Sequence, residues 1–110
     1  LVKQLFRFEP VTPDRVITGP LNLTPLGFDA HVFPTPGHTP GSLTMITASG
    51  QAFVGDLAVN YLFGGRGPYW PPFGDSRRLI RDSWQTLRNH GATTIYPAHG
   101  RPFRIEKLPA

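Results

Sequence analysis

The octapeptide Thr35-Pro36-Gly37-His38-Thr39-Pro40-Gly41-Ser42 limits what this chain can fold into more than any other stretch. Proline fixes φ and glycine opens positive φ, so a Pro-Gly corner on each side of one histidine aims its imidazole along a set direction. A histidine held this way is expected to be a metal ligand. Two further groups match it as partners: Asp56 in Val54-Gly55-Asp56-Leu57 and His99 in Tyr96-Pro97-Ala98-His99-Gly100. Each alone has a plainer role, as a backbone-bonded turn histidine, a turn-capping aspartate and a loop histidine. The three together favour ligands.

Their place among the local elements supports that reading. Short β candidates run over Val16–Thr18, Leu21–Thr24 and Phe28–Phe33, and in the last of these the apolar Phe28, Ala30 and Val32 alternate with Asp29 and His31. Leu43–Ala48 and Gln51–Gly55 flank Ser49-Gly50, which reads as a two-residue hairpin loop. Residues 57–74 are rich in glycine, proline and aromatics and read as one long loop. Asp75 or Ser76 then caps a helix of about fifteen residues. Leu79, Ile80, Ser83, Trp84 and Leu87 share one helical face, and Gly91 ends the helix. Thr93–Tyr96 and Phe103–Leu108 read as the last two strands, while residues 1–14 suit either a helix end or an edge strand.

His38, Asp56 and His99 each follow a predicted strand. If Leu43–Ala48 runs antiparallel to its neighbours, the three flanking strands point the same way and the three groups converge on one sheet edge. Separations of 18 and 43 residues in sequence exclude a local finger-type site and imply an open tertiary one. Two imidazoles and a carboxylate suit one or two Zn²⁺ ions, and also Fe or Mn, with positions left for water. Metal lowers the pKa of bound water far below its bulk value, to about 7, so hydrolysis is the natural reaction class.

The chain has no cysteine, which excludes disulfides, thiolate zinc sites and thiol catalysis. That is compatible with a cytoplasmic protein. No apolar run approaches a membrane span, and no signal-peptide pattern opens the chain. The 110 residues make one domain at most. Eleven Lys and Arg against seven Asp and Glu give +4, but the basic residues are scattered, which disfavours nucleic acid as a partner. The only methionine is Met45, so the chain is expected to be processed or part of something longer.

Thr35 to Ser42, Gly55-Asp56 and Pro97-Ala98-His99-Gly100, in this order and spacing, resemble the later motifs of metallo-β-lactamase-fold hydrolases, notably the glyoxalase II-like branch. The resemblance implies an α/β fold, the C-terminal half of an αββα sandwich, with a mixed sheet and one main helix packed on it. It also implies that His38 is a ligand of a first metal, Asp56 the bridging and catalytic ligand, and His99 a ligand of a second metal. The earlier His-x-His-x-Asp-His motif of such enzymes is not in this sequence. The parent protein is therefore expected to be a hydrolase in which metal-bound hydroxide attacks an ester, thioester or lactone-type bond of a small molecule. This chain would supply part of the site, completed by an N-terminal half or a second copy.

An inactive scaffold or self-associating half-domain is the alternative, and nucleic-acid processing a weaker one. Tyr61, Tyr69 and Trp70 are the candidates to line a substrate pocket, with pinning of the loop to the core as their other role. His31 reads as a structural or solvated strand residue and His90 as a structural partner of the helix C-terminus. Arg77, Arg78 and Arg81 read as a solvated helix face, and Ser42 as a support of the His38 loop.

Overall fold

The structure, a computed structural model, describes residues 9–110. The reading of residues 1–14 as a helix end or edge strand lies outside these residues up to position 8, and residues 9–14 form neither element. Eight strands and one α-helix follow: β1 (Leu21–Asn22), β2 (Ala30–Pro34), β3 (Leu43–Thr47), β4 (Gln51–Gly55), β5 (Val59–Asn60), β6 (Pro68–Tyr69), α1 (Arg77–Asn89), β7 (Thr94–Pro97) and β8 (Phe103–Arg104). Single 3₁₀ turns occupy Thr24–Leu26 and Ile105–Lys107.

Six strands form one mixed sheet in the order β1-β2-β3-β4-β7-β8, and β5 and β6 pair separately. β2, β3 and β4 are antiparallel neighbours, whereas β4 and β7 are parallel. A parallel pair needs a long crossover, and residues 56–93, with α1 among them, provide it. As a result β2, β4 and β7 all run in one direction, and their C-terminal ends share one edge of the sheet.

Several local expectations shift. Val16–Thr18 is not a strand, and β1 stops at Asn22 because Thr24-Pro25 enters a 3₁₀ turn closed by Gly27 N–H to Thr24 O. The hairpin between β3 and β4 has a three-residue loop, Ala48-Ser49-Gly50, rather than two; Gly50 takes φ +87° and its N–H reaches Thr47 O at 2.9 Å. Glycine is suited to that left-handed position. The loop expected over 57–74 contains the β5–β6 hairpin. The last strand ends at Arg104 and gives way to a 3₁₀ turn.

In α1 the N-cap is Ser76, whose side chain accepts from Leu79 N–H at 3.2 Å. Its buried face is Ile80, Ser83, Trp84 and Leu87. These positions repeat at three and four residues, and Leu79, one step off that row, is exposed. The helix face packs on Ile46, Ala52, Val54 and Ile95 from the sheet, with Leu57, Phe103 and Ile105 completing the core.

The opposite face of the sheet carries a different row. Register aligns Leu21, Val32, Met45, Phe53 and Tyr96 across five strands. The Phe53 and Tyr96 rings stack with centroids 4.9 Å apart, and Phe53 keeps 41% of its surface in solvent. Among the described residues, no helix is long and apolar enough to cross a membrane.

Candidate metal centre

His38 is set by a loop stitched on both sides. Thr35 N–H bonds Ser42 O at 2.8 Å, the Thr39 and Ser42 hydroxyls are 2.7 Å apart, and buried Thr35 Oγ1 lies 2.8 Å from Thr44 Oγ1 on β3. The other side of the loop meets the start of α1: Asp75 N–H bonds His38 O, Ser76 N–H bonds Gly37 O, and the Ser83 hydroxyl donates to Pro36 O at 2.7 Å. Gly37 makes this junction possible. It adopts φ +142°, and a Cβ there would fall 2.5 Å from the Ile80 backbone nitrogen.

The imidazole of His38 donates from Nδ1 to the carbonyl of Phe73 at 2.6 Å. A carbonyl only accepts, so Nδ1 holds the hydrogen and Nε2 is the ring nitrogen turned toward Asp56. His38 Nε2 lies 3.5 Å from Asp56 Oδ2. The other carboxylate oxygen, Oδ1, accepts from His99 Nδ1 at 2.7 Å. One carboxylate thus stands between two imidazoles, one on each oxygen.

Asp56 follows β4 directly, in a turn closed by Leu57 N–H to Val54 O. Two links hold that turn. Ala98 N–H bonds Gly55 O, tying it to the His99 loop, and the buried Trp84 indole N–H donates to Leu57 O at 2.9 Å, tying it to α1. His99 is positioned through Asn60, whose own N–H bonds His99 O at 3.0 Å. The buried Asn60 side chain donates to Arg101 O at 3.0 Å and accepts from Gly67 N–H at 2.7 Å. One side chain therefore joins the His99 loop to the loop after β5.

The side chains of His38, Asp56 and His99 are 25%, 35% and 66% exposed. They form the polar floor of an open cleft of about 550 Å³. Tyr61 and Phe73 stand on its walls, with Pro71, Pro72 and Ala98. Of the aromatic candidates, only Tyr61 lines this cleft. Tyr69 packs on Phe103, ring centroids 5.0 Å apart, and Trp70 packs on Trp84 at 4.4 Å, so both pin the loop to the core. The Arg77 and Arg81 guanidinium groups lie over Trp70, 4.7 and 5.7 Å from its centroid, so they are not a purely solvated face. His31 and His90 flank Phe33 at a separate cavity of about 510 Å³, at the other end of the sheet.

Nitrogen and oxygen donors of this kind fit a borderline or hard divalent metal. Ligating histidines usually donate their second N–H to a carbonyl or carboxylate. His38 does so to Phe73, and His99 does so to Asp56 itself. The arrangement is not a closed cage. Among the described residues no group of three such side chains is placed to enclose a metal ion.

Sequence reasoning missed three positioning residues. Phe73 was one aromatic among many in its loop, and its decisive atom is a backbone carbonyl that no sequence pattern marks. Trp84 registered as an apolar helix position, although its N–H is the polar link to the Asp56 turn. Asn60 carried no local signal.

No family model matches the chain, and no curated protein matches it. Solved structures do. The archaeal metallo-beta-lactamase superfamily protein ST1585 from Sulfolobus tokodaii superposes with a TM-score of 0.57 at 21% identity, covering 74% of this chain and 31% of that one. TTHA1623, determined in a di-iron-bound form, superposes with a TM-score of 0.60 at 29% identity, covering 89% of this chain and 46% of that one. This chain therefore spans less than half the length of either. Over the shared part, its mixed sheet and single main helix have the fold of a metallo-β-lactamase superfamily protein.

Proposed function

We propose that this chain supplies His38, Asp56 and His99 to the metal centre of a hydrolase of the metallo-β-lactamase superfamily, in its glyoxalase II-like branch, acting on an ester, thioester or lactone-type bond. The observation behind this reading is the Asp56 carboxylate with an imidazole on each oxygen, at the C-terminal edge shared by three strands running in one direction. Zinc is the proposed metal. The di-iron form of TTHA1623 supports iron as its rival, and manganese accepts the same donors. When bound, such a metal supplies Lewis-acid activation of water and of the substrate carbonyl.

The chain's own residues have definite parts in this reading. The Phe73 carbonyl holds the hydrogen of His38 Nδ1 and so presents Nε2 to the metal. Asp56 orients His99 through Nδ1 and offers its second oxygen toward His38. Three donors are fewer than a two-metal hydrolase needs, so the remainder comes from a part of the fold beyond these 110 residues or from a second copy.

Elemental analysis of the purified protein, with zinc, iron and manganese counted separately, tests this. His38→Ala and Asp56→Ala should each weaken metal binding by at least about tenfold, and His99→Ala should reduce the stoichiometry. Ester turnover by the parent protein should fall in parallel. Metal content and turnover unchanged in all three variants would refute it.

A further inference from the structure

We infer that the cleft wall formed by Tyr61 and Phe73 receives an uncharged, apolar arm of the substrate, an aryl group or a compact alkyl group, and selects against an anionic arm. The inference rests on the reading of this cleft as the reaction site, and it names the substrate class for it.

The cleft divides by chemistry. Its floor is His38, Asp56 and His99, and above the floor the lining side chains carry no formal charge. Tyr61 and Phe73 come from opposite ends of the segment between β5 and α1, yet both residues line this one cleft, with Phe73 80% exposed. Single exposed apolar residues are ordinary on a protein surface. Two aromatic residues lining one concave site of about 550 Å³, beside a cluster of polar groups, have the make-up of a small-molecule pocket. Pro71-Pro72 adds stiffness to the wall, since each proline has φ already fixed, so little freedom is lost when a ligand settles there.

The nearby cations are engaged elsewhere. An anionic arm is normally met by a guanidinium or ammonium group, and among the described residues none lines this cleft. Arg101, two residues past His99, donates instead to Gly64 O at 3.2 Å. Arg77 and Arg81 lie over Trp70, outside the lining. A carboxylate or phosphate on the wall would meet no counter-charge there and would lie close to the carboxylate of Asp56. An uncharged ring gains contact with Tyr61 and Phe73 and loses nothing comparable.

Two probes that differ only in charge at the far end of one ring test the inference. They are 4-phenylbutan-2-one and 4-(3-oxobutyl)benzoate, titrated into isotope-labelled protein and followed by amide chemical shifts. Ketones resist hydrolysis, so the readout needs neither metal nor turnover. The neutral ketone should shift Tyr61, Phe73 and Ala98, and the benzoate should bind at least about tenfold more weakly. Phe73→Ala and Tyr61→Ala should each weaken ketone binding by about fivefold, with melting temperatures held, because both rings are exposed. Equal or tighter binding of the benzoate, no shifts at these residues, or full affinity in both variants would overturn the inference. Any of these results would leave the metal reading to stand or fall on elemental analysis.

Discussion

Replacing Gly37 with alanine should unseat the His38 loop from α1, and the structure allows its size to be worked out. The new Cβ would lie 2.5 Å from Ile80 N, 2.6 Å from Ile80 Cγ1 and 2.8 Å from Ile80 Cα. Two of these atoms belong to helix backbone and cannot rotate away. Overpacking of this kind costs about 1–3 kcal/mol. Forcing an L-residue to φ +142° adds roughly 1–3 kcal/mol. Part of the two is relieved together if the loop moves, so about 3 kcal/mol is the expected loss. Unfolding entropy of roughly 2.1 cal/mol/K per residue converts that into a fall in melting temperature of about 13 °C for a chain this size. Gly41→Ala, in the same loop, is the matched control: no atom lies within 4 Å of its Cβ and its φ is not in the left-handed region. Thermal unfolding followed by circular dichroism compares the two. If Gly37→Ala melts within about 2 °C of Gly41→Ala, the close approach of loop and helix is not what holds His38.

Two further substitutions probe the supports of Asp56 and His99. Trp84→Phe keeps an aromatic ring but leaves the carbonyl of buried Leu57 without its donor; denaturant titration should show a loss of about 2–4 kcal/mol with an unchanged slope. Asn60→Ala strips partners from Gly67 N–H and Arg101 O together. It should destabilise the protein by about 2–4 kcal/mol, and hydrogen exchange at Gly67 should quicken more than at Ile95 in the core; equal protection at both would contradict the role assigned to Asn60.

Much of the frame was legible because it depends on short-range pattern. Ile80, Ser83, Trp84 and Leu87 repeat at helical spacing, and Ser76 caps the helix as short polar residues do. Gln51–Gly55 was found with its boundaries intact, and its hairpin was short by one loop residue because Gly50 alone does not reveal whether the turn opens at Ala48 or Ser49. The antiparallel hairpin also makes β2 and β4 point the same way, which is why His38, Asp56 and His99 were expected at one edge. What was missed depends on distant partners. Val16–Thr18 has β-forming side chains but no neighbouring strand among the described residues, and a strand without a partner is not stable. Tyr69 and Trp70 are indistinguishable by type from Tyr61, and only the packing of Phe103 and Trp84 against them separates core aromatics from cleft aromatics.

The bond from the Trp84 indole to Leu57 O has a spectroscopic use. The chain has two tryptophans, and Trp84 is fully buried with its N–H held at 2.9 Å by the turn that carries Asp56. That single proton can trade with solvent deuterium only when α1 parts from the end of β4, so its exchange rate measures the free energy of that opening. Trp70 is only partly buried, so its indole proton provides an internal reference in the same spectrum. Two resonances in an uncrowded region would therefore report how often the floor of the cleft loses its support from the helix.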